Sequence, residues 1–178
     1  MKETPLKFTF KITVIGDGRV GKTSLIKKYT KGKFQEDYIS TIGAQFSIYN
    51  EKIEGDECKL VFWDIAGQDS FKFLHSSFYK ESRAAIIVYS LEENKLGTDS
   101  FDHITDWHDD IKQYCGKIPV IIFANKVDLI DENSYDSTKI KELVKERDFI
   151  DVYRTSAKTG QGVNEAFKKI IIELHSKC

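Results

Sequence analysis

Residues 16–23, Gly-Asp-Gly-Arg-Val-Gly-Lys-Thr, directly follow a strand-like run at 8–15 and have the spacing of a phosphate-binding loop. The glycines let the backbone turn tightly and bring bare N–H groups to anionic oxygens. Lys22 would reach the outer phosphates, and the Thr23 hydroxyl would ligate Mg²⁺. A glycine-rich turn without a ligand is the alternative, but the strand before the loop and the helical pattern after it favour phosphate binding. The residues that we expect to line the phosphates are Gly18, Arg19, Val20, Gly21, Lys22, Thr23 and Ser24.

An acidic residue and a glycine follow a second strand-like run, in the segment 64–68, Asp-Ile-Ala-Gly-Gln. At the tip of a strand beside the phosphate loop, the Asp64 carboxylate would reach Mg²⁺ through a water. Gly67 would give its backbone N–H to a γ-phosphate, and Gln68 would orient the water that attacks it. A strand end with an unliganded turn is the alternative, which the phosphate loop upstream disfavours.

Residues 125–128, Asn-Lys-Val-Asp, follow an apolar run at 120–124 and match a guanine-binding pattern. The Asp128 carboxylate is a pair of acceptors that fits the N1–H and exocyclic amine of guanine. Adenine has an acceptor at N1 and no amine at C2, so it would leave that charge unpaired. Lys126 can lay its apolar stem along the base, while Asn125 can join neighbouring loops and reach N7. The order of this motif after the two phosphate-binding segments makes guanine the favoured base.

Residues 155–158, Thr-Ser-Ala-Lys, form a weaker candidate at the end of a short strand-like run. Backbone N–H groups of Ser156, Ala157 and Lys158 would meet the guanine O6 and reject the amino group of adenine. A serine-rich turn before Gly160 explains the same residues equally well.

The stretch 34–42 has no apolar periodicity and reads as a loop. In it, the Thr41 hydroxyl would complete the Mg²⁺ shell while its backbone N–H meets a γ-phosphate. That contact exists only with a triphosphate, so the loop would be held with GTP and released with GDP. We expect Phe34 to pack edge-on against the base and Tyr38 to close over the phosphates. A solvent loop with stray aromatic side chains is the alternative.

Composition favours a soluble, intracellular globular protein. The chain has 178 residues, 40% of them hydrophobic and 31% charged, with a formal net charge of −1. This balance gives no reason to expect a nucleic-acid partner. The three cysteines are odd in number and widely spaced, which is typical of reduced thiols in the cytoplasm. The N-terminus is too polar for a signal peptide, and no apolar stretch reaches the ~18 residues of a membrane span.

Strand-like and helix-like segments alternate, which predicts an α/β layered fold with a mainly parallel sheet. Because a short link joins residues 44–49 to 59–63, these two strands should pair in antiparallel fashion at one edge. The candidate ligand-binding segments all fall at the carboxyl ends of strands, where ligands bind in such sheets. We expect one domain, residues 1–178, with a flexible N-terminus at 1–6. The later helices are predicted over 99–113, 137–147 and 163–175.

Together, these segments resemble those of the Ras superfamily of small GTPases, over about residues 8–174. The resemblance implies the P-loop small GTPase fold, a mostly parallel six-stranded sheet with one antiparallel edge strand and about five flanking helices. The Rab branch is most similar, because residues 39–46 resemble the Rab pattern STIGxxF and residues 59–64 resemble KLxxWD. Residues 78–79 with 84–89 resemble the Rab stretch YY…LVY.

Three aromatic residues fall where Rab proteins place a triad that effectors contact: Phe46, Trp63 and Phe78. Core packing is the alternative, since large aromatic side chains bury well anywhere. Two other positions depart from the family pattern. Arg19 replaces a small residue, and it either projects outward harmlessly or alters hydrolysis and access for partners. Ser90 replaces an aspartate, and the segment 91–99 is about four residues longer than is usual in Rab proteins, which predicts an enlarged surface loop.

The resemblance implies a slow, Mg²⁺-dependent GTPase that binds GTP and GDP and switches between two states. It also implies an exchange factor, a GTPase-activating protein and effectors as partners, with the chain itself a monomer. We expect a cytoplasmic protein, peripheral on the cytosolic face of an endomembrane only if the natural chain carries a lipidated tail. The lone Cys178 matches neither a CaaX ending nor a double-cysteine ending.

Two other functions compete with this one. A binding module that holds GTP without hydrolysing it is the first, and Arg19 is the feature that favours it. A P-loop ATPase or nucleotide kinase is the second, and Asp128 disfavours it. His103 and His108 with the carboxylates near them could suggest a metal cluster, but these residues are scattered around a helix, so we predict a solvated acidic face.

Overall fold

A computed structural model of the chain describes residues 5–34, 40–67 and 69–178. Strands and helices alternate along these ranges. The strands are β1 (Lys7–Ile15), β2 (Ala44–Ile53), β3 (Asp56–Ile65), β4 (Ala84–Ser90), β5 (Val120–Asn125) and β6 (Val152–Thr155). The helices are α1 (Lys22–Lys31), α2 (His75–Tyr79), α3 (Lys95–Asp102), α4 (Ile104–Cys115), α5 (Thr138–Glu146) and α6 (Val163–His175). Short 3₁₀ turns lie at Asp69–Leu74 and Val127–Leu129.

The strands form one six-stranded sheet in the order β2-β3-β1-β4-β5-β6. All neighbouring pairs are parallel except β2 and β3, which run antiparallel from Ala44 opposite Ile65 to Ile53 opposite Asp56. The predicted α/β fold with one antiparallel edge strand is therefore confirmed. Both strands of the antiparallel pair extend further than predicted, and β2 alternates exposed and half-buried residues and so lacks a long apolar run.

The region before α4 differs from the prediction. In place of one helix over 99–113, α3 begins at Lys95 and meets α4 at His103. Asn94 caps α3 by accepting a hydrogen bond of 3.1 Å from the Gly97 N–H. The prediction of an enlarged surface loop at 91–99 is therefore wrong, since the extra residues form the first turns of a helix. The glycine and polar residues of that turn concealed the apolar periodicity.

Helices cover both faces of the sheet. On one face α1 and α6 pack against the strands, with Leu25, Phe167 and Ile170 fully buried. On the other face α4 and α5 do so, through Ile111 and Ile140. Because β4 and β5 are buried on both faces, the carboxyl ends of β1, β3, β5 and β6 form a fixed edge from which loops emerge. Among the described residues, no helix combines the length and apolar character needed to cross a bilayer.

Candidate nucleotide-binding site

The loop after β1 closes around the ammonium group of Lys22. Its Nζ donates to the carbonyl oxygens of Gly16, at 2.8 Å, and Asp17, at 2.7 Å. Helix α1 starts directly after Gly21, so the N–H groups of its first turn have no helical acceptor and face the loop. Burial lowers the pKa of Lys22 to about 8, although the negative charges of Asp64 and Asp17 act to raise it. The loop therefore presents a buried amine and free amides, the arrangement that suits a phosphate group.

Three oxygen-bearing side chains from three different segments meet beside this loop. The hydroxyl groups of Thr23 and Thr41 lie 3.0 Å apart. Thr23 donates to Oδ2 of Asp64, and Thr41 lies 3.4 Å from the same oxygen. The other carboxylate oxygen, Oδ1, is buried with no hydrogen-bond partner among the described residues.

This oxygen cluster fits a hard divalent cation. Burial raises the pKa of the Asp64 carboxyl, although the Thr23 hydrogen bond and the Lys22 charge oppose that rise. Hydroxyl and carboxylate oxygens are the ligands that Mg²⁺ takes at phosphate sites, and a cation here would satisfy the orphaned Oδ1. The predicted metal ligands Thr23, Thr41 and Asp64 are thus brought together.

The chain leaving β3 crosses directly over the phosphate loop at Gly67. A Cβ atom at this position would overlap the carbonyl oxygen of Gly16 and the backbone of Asp17 and Gly18. Only glycine therefore allows the two predicted phosphate-binding segments to touch. Two predicted site residues, Tyr38 and Gln68, lie outside the described residues.

Asn125 joins three of the predicted segments at the end of β5. It is 1% exposed, and its Nδ2 donates to the carbonyl of Val20, in the phosphate loop, at 2.9 Å. Its Oδ1 accepts from the Thr155 hydroxyl at 3.2 Å and from the Ala157 N–H at 3.3 Å. The predicted joining role of Asn125 corresponds to these contacts, whereas its predicted reach to the guanine N7 stays a prediction.

The base-binding candidates lie next to Asn125. Lys126 adopts a left-handed conformation with φ 68°, which turns the chain so that Lys126 and Asp128 both line the same cleft. The Ser156 hydroxyl donates to Oδ1 of Asp128 at 2.6 Å and so fixes the orientation of the carboxylate. Ser156 is itself fully buried, and we interpret it as a support for Asp128.

A cleft of about 970 Å³ connects the phosphate loop to these base-binding candidates. It has the size of a small-molecule site. Most predicted site residues line it: Gly18, Arg19, Gly21, Lys22, Thr23, Ser24, Phe34, Thr41, Gly67, Asn125, Lys126, Asp128, Ala157 and Lys158. Val20 and Ser156 lie behind the wall, where both are fully buried. Sequence reasoning missed Glu92, Asn94 and Leu96, which also line the cleft.

A contact between the phosphate loop and helix α4 was also missed. Asp17 accepts from the Trp107 indole N–H at 2.8 Å, and its other oxygen lies 2.7 Å from Nδ1 of His103. His103 is half exposed, which agrees with the predicted solvated face, whereas His108 departs from it by packing edge-on against Phe149 at 4.7 Å between ring centroids. The sequence feature that could have indicated this contact is Asp17, an acidic residue between two glycines of the phosphate loop.

The contact between His103 and Asp17 predicts a pH dependence of stability. The hydrogen bond to Asp17 raises the pKa of His103 above its ordinary value of 6.5, helped by the charges of Asp17, Asp106 and Asp99 and opposed by burial. The stabilisation is therefore complete below that ordinary value and is lost as pH rises through the raised pKa. Because the ring is half exposed, we expect only about 0.5 kcal/mol.

The test compares the wild type with His103→Gln by thermal unfolding from about pH 5.5 to about pH 8.5. The advantage of the wild type should shrink as pH rises. A difference that is constant over this range would mean that the imidazole does not titrate against Asp17.

The three aromatic residues of the predicted triad form one continuous surface on the antiparallel edge. The ring of Trp63 lies 6.0 Å from that of Phe46 and 6.0 Å from that of Phe78, measured between centroids. Nζ of Lys11 lies 4.2 Å over the Trp63 ring. Phe46 is 64% exposed, so core packing does not explain its position. An exposed aromatic group of this kind is typical of a binding surface for another protein.

The sheet order, the phosphate loop after β1 and the base-binding motif after β5 define the P-loop small GTPase fold. Sequence comparison agrees with this class, since the Ras family model matches residues 11–176. The chain belongs to the Ras family.

Its curated relatives include Rab proteins. It is 38% identical over 172 residues to Ras-related protein Rab-1 of Theileria annulata, covering 96% of this chain and 76% of the relative. It is 35% identical over 161 residues to Rab-1D of Dictyostelium discoideum, with 90% and 76% covered. It is also 35% identical over 162 residues to Rab-13 of Bos taurus, with 90% and 77% covered.

Proposed function

We propose that this protein is a GTP-binding switch that hydrolyses GTP slowly to GDP and phosphate and regulates membrane traffic through effectors. The observation that carries the proposal is the cleft in which the phosphate loop, the Thr23–Thr41–Asp64 cluster and Asp128 all meet. Membership of the Ras family supports guanine nucleotide as the ligand. We propose that the whole chain forms one GTP-binding domain.

Each part of the cleft has a separate task in this proposal. The loop amides and Lys22 bind the phosphates and neutralise charge as it develops on the transferred group. Thr23, Thr41 and Asp64 would hold Mg²⁺, which would supply positive charge beside the phosphates. Asp128, oriented by Ser156, reads the guanine edge, and Lys126 covers the base. Phe34 would pack against the base, and Tyr38 would close over the phosphates.

Gln68 is the proposed positioning group for the attacking water. Its amide can accept from the water and donate toward the γ-phosphate, so that the water attacks in line. We expect rapid turnover to need an arginine supplied in trans by an activating protein. Thr41 couples hydrolysis to the conformation of its loop, because the loop would lose its contact with the γ-phosphate when GDP forms.

Partners and location follow from the same proposal. The Phe46–Trp63–Phe78 surface, in which Phe46 is exposed and the other two rings are half-buried, lies beside the Thr41 segment, so an effector that docks there would sense the nucleotide state. We propose that the protein works as a monomer at the cytosolic face of an endomembrane, with attachment supplied by a lipidated tail. An exchange factor would release GDP.

A specific observation favours a second candidate, a GTP-gated binding module without useful hydrolysis. Arg19 lies in the phosphate loop with φ 66° and lines the cleft. A long cation at this place alters the space available to water and to an activating protein.

The test is single-turnover hydrolysis of bound GTP with Mg²⁺, comparing the wild type with Gln68→Leu. We expect slow hydrolysis in the wild type and a rate at least about tenfold lower in the variant, because the water loses its orienting group. GTP binding should be unchanged, since a leucine leaves the phosphate contacts intact.

Gln113→Leu, on the exposed face of α4, is the matched control and should hydrolyse GTP at the wild-type rate. Equal rates for the wild type and Gln68→Leu would remove Gln68 from the mechanism. Tight GTP binding without hydrolysis in either protein would favour the binding module, and Arg19→Gly would then be expected to restore activity.

A further inference from the structure

Glu92 is a carboxylate inside the nucleotide cleft that the proposed chemistry leaves without a role. Its Oε2 lies 2.6 Å from Nζ of Lys126, the proposed cover of the guanine base. The Ser90 hydroxyl donates to the same oxygen at 2.9 Å. The two charged side chains are only 21% and 24% exposed, so this ion pair is largely removed from solvent. A short hydrogen bond between two charged groups is stronger than one between neutral groups.

The backbone around Glu92 is fixed to the end of β5. Leu91 donates its N–H to the carbonyl of Asn125 at 2.8 Å, and Asn94 donates to the carbonyl of Glu92 at 2.9 Å. Helix α3 approaches the same carbonyl so closely that a Cβ at Gly97 would overlap it. Glu92 therefore stands on a rigid support, although it lies just outside a strand.

The charge state of Glu92 allows it to hold the Lys126 side chain in place. Burial opposes its ionisation, but the hydrogen bonds from Lys126 and Ser90 outweigh burial and leave its pKa below the ordinary value. The carboxylate is therefore ionised at neutral pH. Ser90, which stands where the family pattern has an aspartate, holds the glutamate, because its hydroxyl donates to Oε2 of Glu92 and accepts from the Glu92 N–H.

An unanchored lysine has many rotamers, and only a few of them lay the stem flat against a base. Fixing the ammonium group at its far end selects those rotamers before the nucleotide arrives. We propose that Glu92 is a positioning residue that lengthens the residence time of guanine nucleotides by holding Lys126 over the base. This inference rests on the proposed function, because it takes Lys126 as the cover of a bound guanine.

The experiment measures the dissociation rate of a fluorescent GDP analogue from the Mg²⁺-loaded protein. Glu92→Gln removes the charge and keeps the shape, and it should speed GDP release by about tenfold. The adjacent Glu93→Gln carries the same charge change on an exposed side chain and should release GDP at the wild-type rate.

A double-mutant cycle separates action through Lys126 from a general loosening of the cleft. Lys126→Met should speed release on its own, and adding Glu92→Gln to it should give no further increase. The ratio of GDP to inosine diphosphate release rates should be the same in Glu92→Gln as in the wild type, because the 2-amino group is read by Asp128. An additive double mutant, or a changed ratio, would overturn the inference.

Failure of this inference is distinct from failure of the proposed function. If the wild type did not bind the GDP analogue at all, the proposed function itself would be wrong. If the wild type bound it tightly and Glu92→Gln released it at the same rate, only the role of Glu92 would be lost.

Discussion

Asp128→Asn is expected to reverse the base preference of this protein, with GDP binding weakened by at least about a hundredfold. The carboxylate offers two acceptors to the two donors of guanine, its N1–H and its 2-amino group. An asparagine offers one acceptor and one donor, so one hydrogen bond is lost and two donors face each other. Leaving polar groups unpaired in a closed site carries a large free-energy cost.

The same substitution should favour xanthine, which keeps the N1–H and has a carbonyl oxygen where guanine has the amine. The hydrogen bond from Ser156 fixes the side chain at position 128, so the change of chemistry is not absorbed by a change of orientation. Competition of GDP and xanthosine diphosphate for the wild type and for Asp128→Asn measures both effects.

The matched control is Asp102→Asn, which makes the same chemical change on an exposed carboxylate of α3. It should leave the preference for GDP intact. If Asp128→Asn still preferred GDP to xanthosine diphosphate by the wild-type factor, Asp128 would not be the group that reads the base.

Features that depend on neighbouring residues in the chain were predictable from the sequence. The phosphate loop, the Asp64 segment and the Asn125–Asp128 segment each combine a strand end with residues of fixed chemistry, and strand ends meet at one edge of a parallel sheet. The convergence of Thr23, Thr41 and Asp64 followed from these local patterns together with the family resemblance.

Contacts between distant parts of the chain were not predictable. Asp17 meets His103 and Trp107 across 86 and 90 positions, and Lys126 meets Glu92 across 34. Such pairs depend on how helices pack over the sheet, which no local pattern states. Helical offsets predict a solvated face for both histidines, but they carry no information about the contact that His103 makes with Asp17 in the phosphate loop.

Two departures from the family pattern describe one feature of the structure. Ser90 replaces an aspartate, and the segment 91–99 is longer than is usual in Rab proteins. In the structure these two departures belong together, since Ser90 binds Glu92, and the extension supplies both Glu92 and the first turns of α3.

Gly16→Ala is expected to be the most destabilising single-methyl change in the phosphate loop, at about 4 kcal/mol of unfolding free energy. Gly16 has φ 135°, a conformation that side chains rarely adopt, and a Cβ there would overlap the carbonyl oxygen of Val88. Val88 lies in the buried strand β4, so neither backbone can move aside without disturbing the sheet.

Gly32→Ala separates backbone strain from packing. Gly32 ends α1 with φ 65°, and among the described residues no atom beyond its chain neighbours lies within 4 Å of the position of its Cβ, so the conformational cost is the one that remains. That cost is about 1 kcal/mol. Urea unfolding of both variants and the wild type, at one fixed concentration of GDP, measures the two costs on the same scale.

The difference between the two variants combines the contact between the loop and β4 with the greater backbone strain of φ 135° than of φ 65°. Because the Gly16 carbonyl also receives a hydrogen bond from Lys22, a shift of the loop away from Val88 moves the phosphate-binding ammonium group as well. Gly16→Ala should therefore weaken GDP binding in addition to stability, while Gly32→Ala should leave GDP binding unchanged. Equal losses of stability in the two variants would mean that φ alone governs both positions and that the loop does not press on the sheet.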